Sequence, residues 1–125
     1  MSGRKWYWLA MPLLKITTSV PPAREHSKLL ANLSQLCADR LGKPESYVMT
    51  AIDHPSLMTF AGTTEPACYV ELKNVGRFTG ELTERLSAEL CERLSAGLTV
   101  AKNRIYIEFA DAEGYLWGHD GETFG

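Results

Sequence analysis

The sequence lacks the features by which several common classes of protein are recognised. Its three cysteines, Cys37, Cys68 and Cys91, form no C-x-x-C pair, so neither a zinc site nor a disulfide framework is indicated. No run approaches the roughly 20 apolar residues of a membrane span. The formal net charge of −2 gives no electrostatic basis for binding nucleic acid or an anionic membrane. We therefore expect no metal, nucleic acid or membrane among its partners.

Motifs for nucleotides and for common hydrolytic sites are also missing. The sequence contains neither a G-x-G-x-x-G loop nor a Walker-type loop. His26, His54 and His119 have no metal-ligand spacing, and no Ser-His-Asp arrangement can be argued from them. We therefore expect no cofactor, and any chemistry has to come from the side chains or the termini.

The first ten residues differ from the rest of the chain. Arg4 and Lys5 precede the apolar run 6–10, but this run is shorter than the roughly 7–15 residues of a signal-peptide core. We interpret residues 1–10 as an extension outside the native mature chain and residues 11–125 as a single domain. Cys37 and Cys91 lie among leucines, which is typical of buried thiols in a reducing compartment. We expect a cytoplasmic protein, or one released without a signal peptide.

Beyond residue 11 the same pattern occurs twice. Leucines recur at helical spacing in the middle of each half, and β-rich runs flank them. Pro21 and Pro22 end the first strand, and Gly42 ends the first helix. The predicted elements are a strand over 12–20, a helix over 23–41 and a strand over 47–52, then a strand over 67–75, a helix over 81–98 and a strand over 104–109.

Two such β-α-β units predict an α+β fold. Crossovers of one hand place both helices on one face of a four-stranded mixed sheet. Thr50, Tyr69, Glu71 and Tyr106 are expected to be half-buried, and a sheet covered by helices on one side only leaves an apolar surface on the other. We therefore predict a symmetric homo-oligomer in which the sheets of different protomers meet.

Pro12 allows two interpretations. As an internal residue it is an ordinary proline at the first position of a strand, where its missing N–H is harmless. If the mature chain instead begins at Pro12, its nitrogen is a free secondary amine. Burial in an apolar pocket and a nearby cation would both lower the pKa of that amine. Such a base could move a proton at the carbon α to a carbonyl, which is keto–enol tautomerisation.

Other candidate residues also have a structural and a functional interpretation. Lys43 is either a solvated lysine that favours the helix C-terminus or a group that holds a substrate carboxylate or an enolate. Tyr106 and Glu108 project from the same face of the last strand, as packing residues or as part of a site. In the C-terminal segment, the structural interpretation of Trp117, His119 and Phe124 is that these rings pin the C-terminus to a neighbouring surface.

From Met11 onward the chain resembles the macrophage migration inhibitory factor family of the tautomerase superfamily. The resemblance covers about nine-tenths of the chain. It rests on the order and spacing of short motifs: Met11-Pro12, Leu41-Gly-Lys-Pro44, Met58-Thr-Phe-Ala-Gly62, Thr64-Glu-Pro66, Asn103-Arg-Ile-Tyr-Ile107 and Thr123-Phe124.

The resemblance implies a homotrimer whose sheets surround a central channel. It also implies cofactor-independent isomerase activity on phenylpyruvate-like substrates, which are 2-keto acids and their enols, or on dopachrome-like substrates. The residues that it assigns to the site are Pro12 as general base, Lys43 as carboxylate partner, Val75 as pocket wall, Tyr106 and Glu108 from the adjacent protomer, and Trp117 and Phe124 as an aromatic rim.

Three departures from the family pattern bear on function. Glu108 stands where many animal members have asparagine, and its carboxylate could repel an anionic substrate. His119 stands at a place often held by tryptophan. Cys68 lacks the second cysteine of the mammalian C-x-x-C stretch, so thiol–disulfide activity is not carried over. Two alternatives to an active tautomerase therefore stay open, a cytokine-like binding or signalling protein and a catalytically silent oligomeric domain.

Overall fold

The computed structural model describes residues 12–125, and the predicted extension 1–10 lies outside the described residues. The principal elements are β1 (Leu13–Thr18), α1 (His26–Leu41), β2 (Met49–Asp53), β3 (Cys68–Val75), α2 (Gly80–Leu98), β4 (Ile105–Ala112), β5 (Gly118–His119) and β6 (Glu122–Thr123). Short 3-10 helices at Glu45–Tyr47 and Lys102–Arg104 precede β2 and β4, and a third spans Gly114–Leu116. The predicted duplication is confirmed, because each half runs strand, helix, 3-10 helix, strand.

The four long strands form one mixed sheet in the order β2-β1-β3-β4. β1 is parallel to β2 and β3 is parallel to β4, whereas β1 and β3 are antiparallel. The start of β1 therefore lies beside the end of β3, at one end of the sheet along the strand direction. The short strands β5 and β6 form a separate antiparallel pair near the C-terminus.

Both helices cover one face of the sheet, as the crossovers predict. The spacing of Leu86, Leu90, Leu94 and Leu98 places one buried stripe of α2 against the strands. Alternate residues of β1 and β3 complete this core, because successive side chains of a strand point to opposite faces. The buried strand residues of the core are Leu14 and Ile16 of β1, Cys68, Val70 and Leu72 of β3, and Ile105 of β4.

The two helices contact each other closely near the end of α2. A Cβ atom at Gly97 would lie 2.8 Å from Cδ1 of Leu29, so glycine permits this approach. Farther along the interface, Arg40 donates from Nε and Nη2 to the two carboxylate oxygens of Glu89, each at 2.7 Å. This bidentate pair fixes the relative position of α1 and α2.

The structure corrects several boundaries. α1 begins at His26 rather than at residue 23, and β2 begins at Met49 because residues 45–47 form a 3-10 helix after Pro44. β4 continues to Ala112, beyond the predicted end at residue 109, because Lys73–Val75 of β3 remain paired with it.

The face of the sheet away from the helices also differs from the expectation. It is not an apolar surface, because Lys15, Glu71, Lys73 and Glu108 alternate with the buried residues of their strands. Tyr69 and Glu71 are half-buried as expected, whereas Tyr106 is 66% exposed in the protomer. We call this surface the open face of the sheet. Within the described residues, neither helix is long and apolar enough to cross a membrane.

The Arg40–Glu89 pair makes stability dependent on acid pH. Hydrogen bonding from Arg40 holds the pKa of Glu89 below its ordinary value of 4.5. A lowered carboxyl pKa stabilises the fold above that ordinary value, and this contribution is lost as the pH falls through the lowered pKa. Glu89→Gln should therefore reduce the melting temperature by about 2–4 °C at pH 7 and by less at pH 3.

Differential scanning calorimetry at both pH values would check this. Glu84→Gln is the matched control, since Glu84 is an exposed carboxylate on the same helix. An equal effect of Glu89→Gln at pH 7 and pH 3 would show that the ion pair is not its cause.

Candidate active site

Pro12 lies at the end of the sheet where β1 begins and β3 ends. The side chain of Pro12 is among those less than 2% exposed. Its carbonyl accepts a hydrogen bond of 3.0 Å from the N–H of Met49, which extends the pairing of β1 with β2. In the antiparallel register Leu13 is paired with Lys73, so Pro12 stands opposite Asn74 and next to Val75. The residue predicted as the base is therefore in a buried, strand-flanked position.

The C-terminus of α1 directs Lys43 toward this same end of the sheet. Gly42 adopts φ 64°, a left-handed conformation that glycine reaches without strain, and it ends the helix. The N–H of Lys43 then bonds to the carbonyl of Ala38 at 3.0 Å. Its Nζ donates to the carbonyl of Val75 at 3.4 Å. Partial burial lowers the pKa of the Lys43 ammonium from its ordinary value.

The C-terminal segment supplies the aromatic part of this region. Val75 and Phe124 form a small buried cluster against which Trp117 packs. The N–H of Phe124 bonds to the carbonyls of Gly114 and Trp117, both at 3.1 Å, which fixes the end of the chain. The structure thus brings Lys43, Val75, Trp117 and Phe124 to one end of the sheet.

Tyr47 is an addition that the sequence did not suggest. Its ring meets that of His119 edge-on at 5.7 Å, and the His119 ring stacks on Phe124 at 6.0 Å. His119 is held there by the pairing of β5 with β6. Each of these strands has only two residues, which is too short for a recognisable sequence pattern. Tyr47 and His119 therefore extend the group of aromatic rings around Phe124.

A cavity of about 360 Å³ adjoins this region on the β4 side of Val75. It is lined by residues 75–77, by residues 111–114 and by Leu116. Neither Pro12 nor Lys43 contributes to its lining, so it is a neighbour of the candidate site and not the site itself.

Tyr106 and Glu108 do not meet Pro12 within one protomer. Tyr106 is paired through Tyr69 with Thr17, five residues along β1 from Pro12. With about 3.3 Å per residue and about 4.8 Å between strands, Tyr106 is about 19 Å from Pro12. Glu108 is paired through Glu71 with Lys15, three residues along β1, so its separation from Pro12 is about 14 Å. These two residues can join the site only if they come from another protomer.

Arg104 fastens the segment that leads into β3. Its guanidinium donates to the carbonyls of Pro66 at 2.9 Å, Glu65 at 2.9 Å, Phe60 at 3.0 Å and Thr63 at 3.4 Å. It also lies 5.3 Å from the centroid of the Phe60 ring, at cation–π distance. Residues 60–66 and the start of β4 are thereby held together.

Phe60 extends this contact to the open face. Its ring lies 4.9 Å from that of Tyr106. Because Arg104 holds Phe60 and also directly precedes β4, it constrains Tyr106 from two sides.

Burial keeps two of the cysteines in the thiol form. Burial raises the pKa of Cys37 and of Cys68 to about 12, so both remain thiols near neutral pH. Within residues 12–125, no group of three histidine, cysteine, aspartate or glutamate side chains is arranged to hold a metal ion.

Comparison with known proteins gives one consistent family. The family model described as macrophage migration inhibitory factor (MIF) matches residues 11–125. A macrophage migration inhibitory factor homolog from Trichuris trichiura is 40% identical over 91% of this chain and 100% of the relative. The macrophage migration inhibitory factor of Rattus norvegicus is 33% identical over 91% of this chain and 99% of the relative.

Solved structures agree with these sequences. The crystal structure of a macrophage migration inhibitory factor homologue from Prochlorococcus marinus is 44% identical and has a TM-score of 0.88, covering 90% of this chain and 99% of that one. The corresponding protein of Trichinella spiralis is 31% identical with a TM-score of 0.85, covering 90% and 99%.

The Arg104 contacts predict a large effect of mutation on stability. Arg104→Ala should lower the free energy of unfolding by about 2 kcal/mol or more, because four carbonyls lose a charged donor. Arg104→Lys should have an intermediate effect, since one ammonium cannot reproduce the planar fork. Urea unfolding would measure both. Arg24→Ala, an exposed arginine, is the control, and an Arg104→Ala effect as small as that of the control would contradict the assignment.

Proposed function

Because this chain belongs to the macrophage migration inhibitory factor family, we propose that it is a cofactor-independent keto–enol tautomerase of phenylpyruvate-like or dopachrome-like substrates. Pro12 is the general base in this proposal. The observation that carries it is the position of Pro12 next to Val75, whose carbonyl accepts a hydrogen bond from Lys43.

The surroundings of Pro12 favour a neutral amine. An ordinary α-amino group titrates at about 7.7–8.0, and a prolyl amine starts somewhat higher. Burial disfavours the charged form, and the ammonium of Lys43 disfavours a second positive charge nearby. Both effects lower the pKa of a free Pro12 nitrogen, so that an unprotonated base is present near neutral pH.

The proposed reaction is a proton transfer that balances within the substrate. The Pro12 nitrogen removes a proton from the carbon α to the ketone, and the electron pair of that C–H bond forms the carbon–carbon double bond of the enol. The carbonyl oxygen becomes an enolate and takes up this same proton from the protonated Pro12 nitrogen, which regenerates the base, and ketonisation follows the same path in reverse. Lys43 binds the substrate carboxylate and stabilises the negative charge as it develops. No redox step or cofactor is required.

This chemistry requires processing of the N-terminus. A nitrogen in a peptide bond shares its lone pair with the carbonyl and is not basic. We therefore propose that residues 1–11 are absent from the active chain and that the domain begins at Pro12. The start of the family match at residue 11 supports this boundary.

The active unit in the proposal is a homotrimer. Tyr106 and Glu108 lie too far from Pro12 of the same protomer, as the strand register indicates. Each protomer also has edge strands, β2 and β4, that no strand within residues 12–125 covers on the outer side. Strand pairing between protomers would use these edges and bring β4 of one protomer to Pro12 of the next.

Mutation of Pro12 tests the proposed base. In a chain that starts at residue 12, Pro12→Gly should lower kcat/KM for phenylpyruvate ketonisation by about 10²-fold or more, because the secondary amine is lost. The control is Glu84→Gln, which changes an exposed carboxylate of α2 that is not among the candidate site residues. Unchanged turnover in Pro12→Gly would exclude the mechanism. Absent turnover in a trimeric wild type that still binds a partner would favour the cytokine-like alternative.

The N-terminus can be tested separately. Intact-mass analysis of natively expressed protein should give a chain beginning at Pro12. A chain that retains residues 1–11 should have a kcat/KM at least about 10²-fold lower, since its Pro12 nitrogen is an amide. Equal activity of the two forms would contradict the proposal.

A further inference from the structure

Asn74 carries a buried polar atom that the fold leaves without a partner. The residue is only 4% exposed, and within residues 12–125 no donor lies within hydrogen-bond distance of its side-chain oxygen Oδ1. An unpaired buried acceptor costs free energy, so nearly all such atoms in folded proteins have a partner. The donor that Oδ1 requires is therefore one that residues 12–125 do not supply while residues 1–11 remain attached.

The strand register places Asn74 directly opposite Pro12. The pairing of Leu14 with Leu72 extends by two residues to Pro12 and Asn74. Both side chains are buried on the face of the sheet that the helices cover, because they continue the alternation of those two leucines. Directly opposed residues of antiparallel strands have Cβ atoms about 4.5–5.5 Å apart. At that spacing an asparagine oxygen can come within hydrogen-bond distance of a proline nitrogen.

The nitrogen of Pro12 becomes a donor only when the chain begins there. In a peptide bond a proline nitrogen has no hydrogen, so Pro12 cannot donate to Oδ1 of Asn74 while residue 11 is attached. Removal of residues 1–11 gives a neutral secondary amine with one N–H and one lone pair, and protonation adds a second N–H. The unpaired oxygen thus stands opposite a nitrogen that processing would turn into a donor.

We propose that Asn74 is a positioning residue whose side-chain oxygen accepts a hydrogen bond from the free N-terminal amine of Pro12. This inference rests on the proposed function, since it requires the same processed terminus. With its N–H bound to Oδ1, the Pro12 nitrogen directs its lone pair one way, toward the C–H bond of the substrate. After the proton transfer the ammonium keeps the bond to Asn74 and holds the transferred proton until that proton passes to the enolate oxygen.

The neutral amide of Asn74 suits this role better than a carboxylate would. A carboxylate at the same place would stabilise the ammonium form and raise the pKa of Pro12. The amide oxygen accepts the N–H bond without adding a charge. Asn74 can therefore orient the amine and still leave an unprotonated base near neutral pH.

The first test measures the pKa of the Pro12 amine in chains that start at residue 12. The variants are Asn74→Leu, which is similar in volume but has no acceptor, and Asn74→Asp, which adds a charge. The control is Asn103→Leu, at an exposed asparagine outside the candidate site. Titration of the chemical shift of the isotope-labelled proline nitrogen gives this pKa directly. The acidic limb of kcat/KM for phenylpyruvate reports the same group in the free enzyme.

The titratable and charged side chains of the elements around this end of the sheet are the same in all these chains. They are Arg40 and Lys43 at the end of α1, Glu45 and Tyr47 of the 3-10 helix before β2, Lys73 and Arg77 around the end of β3, Glu81 at the start of α2, Asp111 and Glu113 around the end of β4, and His119 of β5. A difference in the pKa of Pro12 between the variants is therefore due to residue 74.

Asn74→Leu should lower the pKa of Pro12 by about half a unit or more, because the ammonium loses an acceptor, and Asn74→Asp should raise it by about one unit or more. In Asn74→Leu, kcat/KM at alkaline pH should also fall about tenfold, because the lone pair is no longer held. The control should match the wild type. If Asn74→Leu does not fold, Asn74→Asp decides alone. An unchanged pKa in the folded variants would overturn the inference.

Thermal unfolding distinguishes the Pro12 amine from another donor, such as a water molecule. Asn74→Leu removes a paired acceptor from the chain that starts at residue 12, but an unpaired one from the chain that retains residues 1–11. The substitution should therefore lower the melting temperature of the processed chain by about 3–6 °C more than that of the longer chain. Equal changes in the two forms would show that some other donor serves Oδ1 and would overturn the inference.

The same measurements separate this inference from the proposed function. If the variants at residue 74 shift the pKa of Pro12 as described but no chain turns over phenylpyruvate, the tautomerase proposal fails and the contact between Asn74 and the amine stands. If turnover depends on Pro12 but neither its pKa nor the melting temperature responds to residue 74 as described, the inference about Asn74 fails alone.

Discussion

The antiparallel pairing of β1 with β3 is the interaction on which the site depends. Within each half of the chain the two strands are parallel, so neither half alone could bring a strand start beside a strand end. The antiparallel junction does this, because it sets the beginning of β1 next to Val75. The buried leucines of both helices fill the covered face of the resulting sheet and keep this junction in place. Without it, Pro12 and Val75 would belong to two separate surfaces.

Much of the fold was accessible from the sequence, because long periodic segments have strong patterns. The leucine stripe of α2 and the glycine that ends α1 are examples, and both were predicted correctly. The end of β4 was missed because Ala110 and Asp111 have little β propensity and are held by pairing with β3. Arg104 was missed as a clamp for a different reason. Its partners are backbone carbonyls about 40 residues away, which leave no trace in residue identity.

The candidate site was also predicted only in part. Pro12, Lys43 and Val75 were assigned by family resemblance. The strand register explains why Pro12 lies beside Val75, and the hydrogen bond from Lys43 to the Val75 carbonyl explains why Lys43 lies there too. The resemblance could not give the local environment of Glu108, since its hydroxyl partner Tyr69 lies on another strand and the contact appears only in the folded chain. The open face was expected to be apolar because alternate strand positions carry tyrosines. Charged residues between them make it polar instead, so contacts between sheets there would include paired charges as well as apolar area.

The two halves of the chain share a backbone plan but not a chemistry. Each helix ends in a left-handed residue, Gly42 in one half and Thr99 in the other, 57 residues apart. The residue that follows is Lys43 in the first half but the buried Val100 in the second. The residue before the central strand is Pro12 in the first half and Ala67 in the second. At the opposite end of the sheet, the apolar residues Ala67 and Val100 therefore stand where the first half has Pro12 and Lys43. The two ends share one backbone plan but carry different side chains, so the protomer is chemically asymmetric along an axis on which its backbone is nearly symmetric.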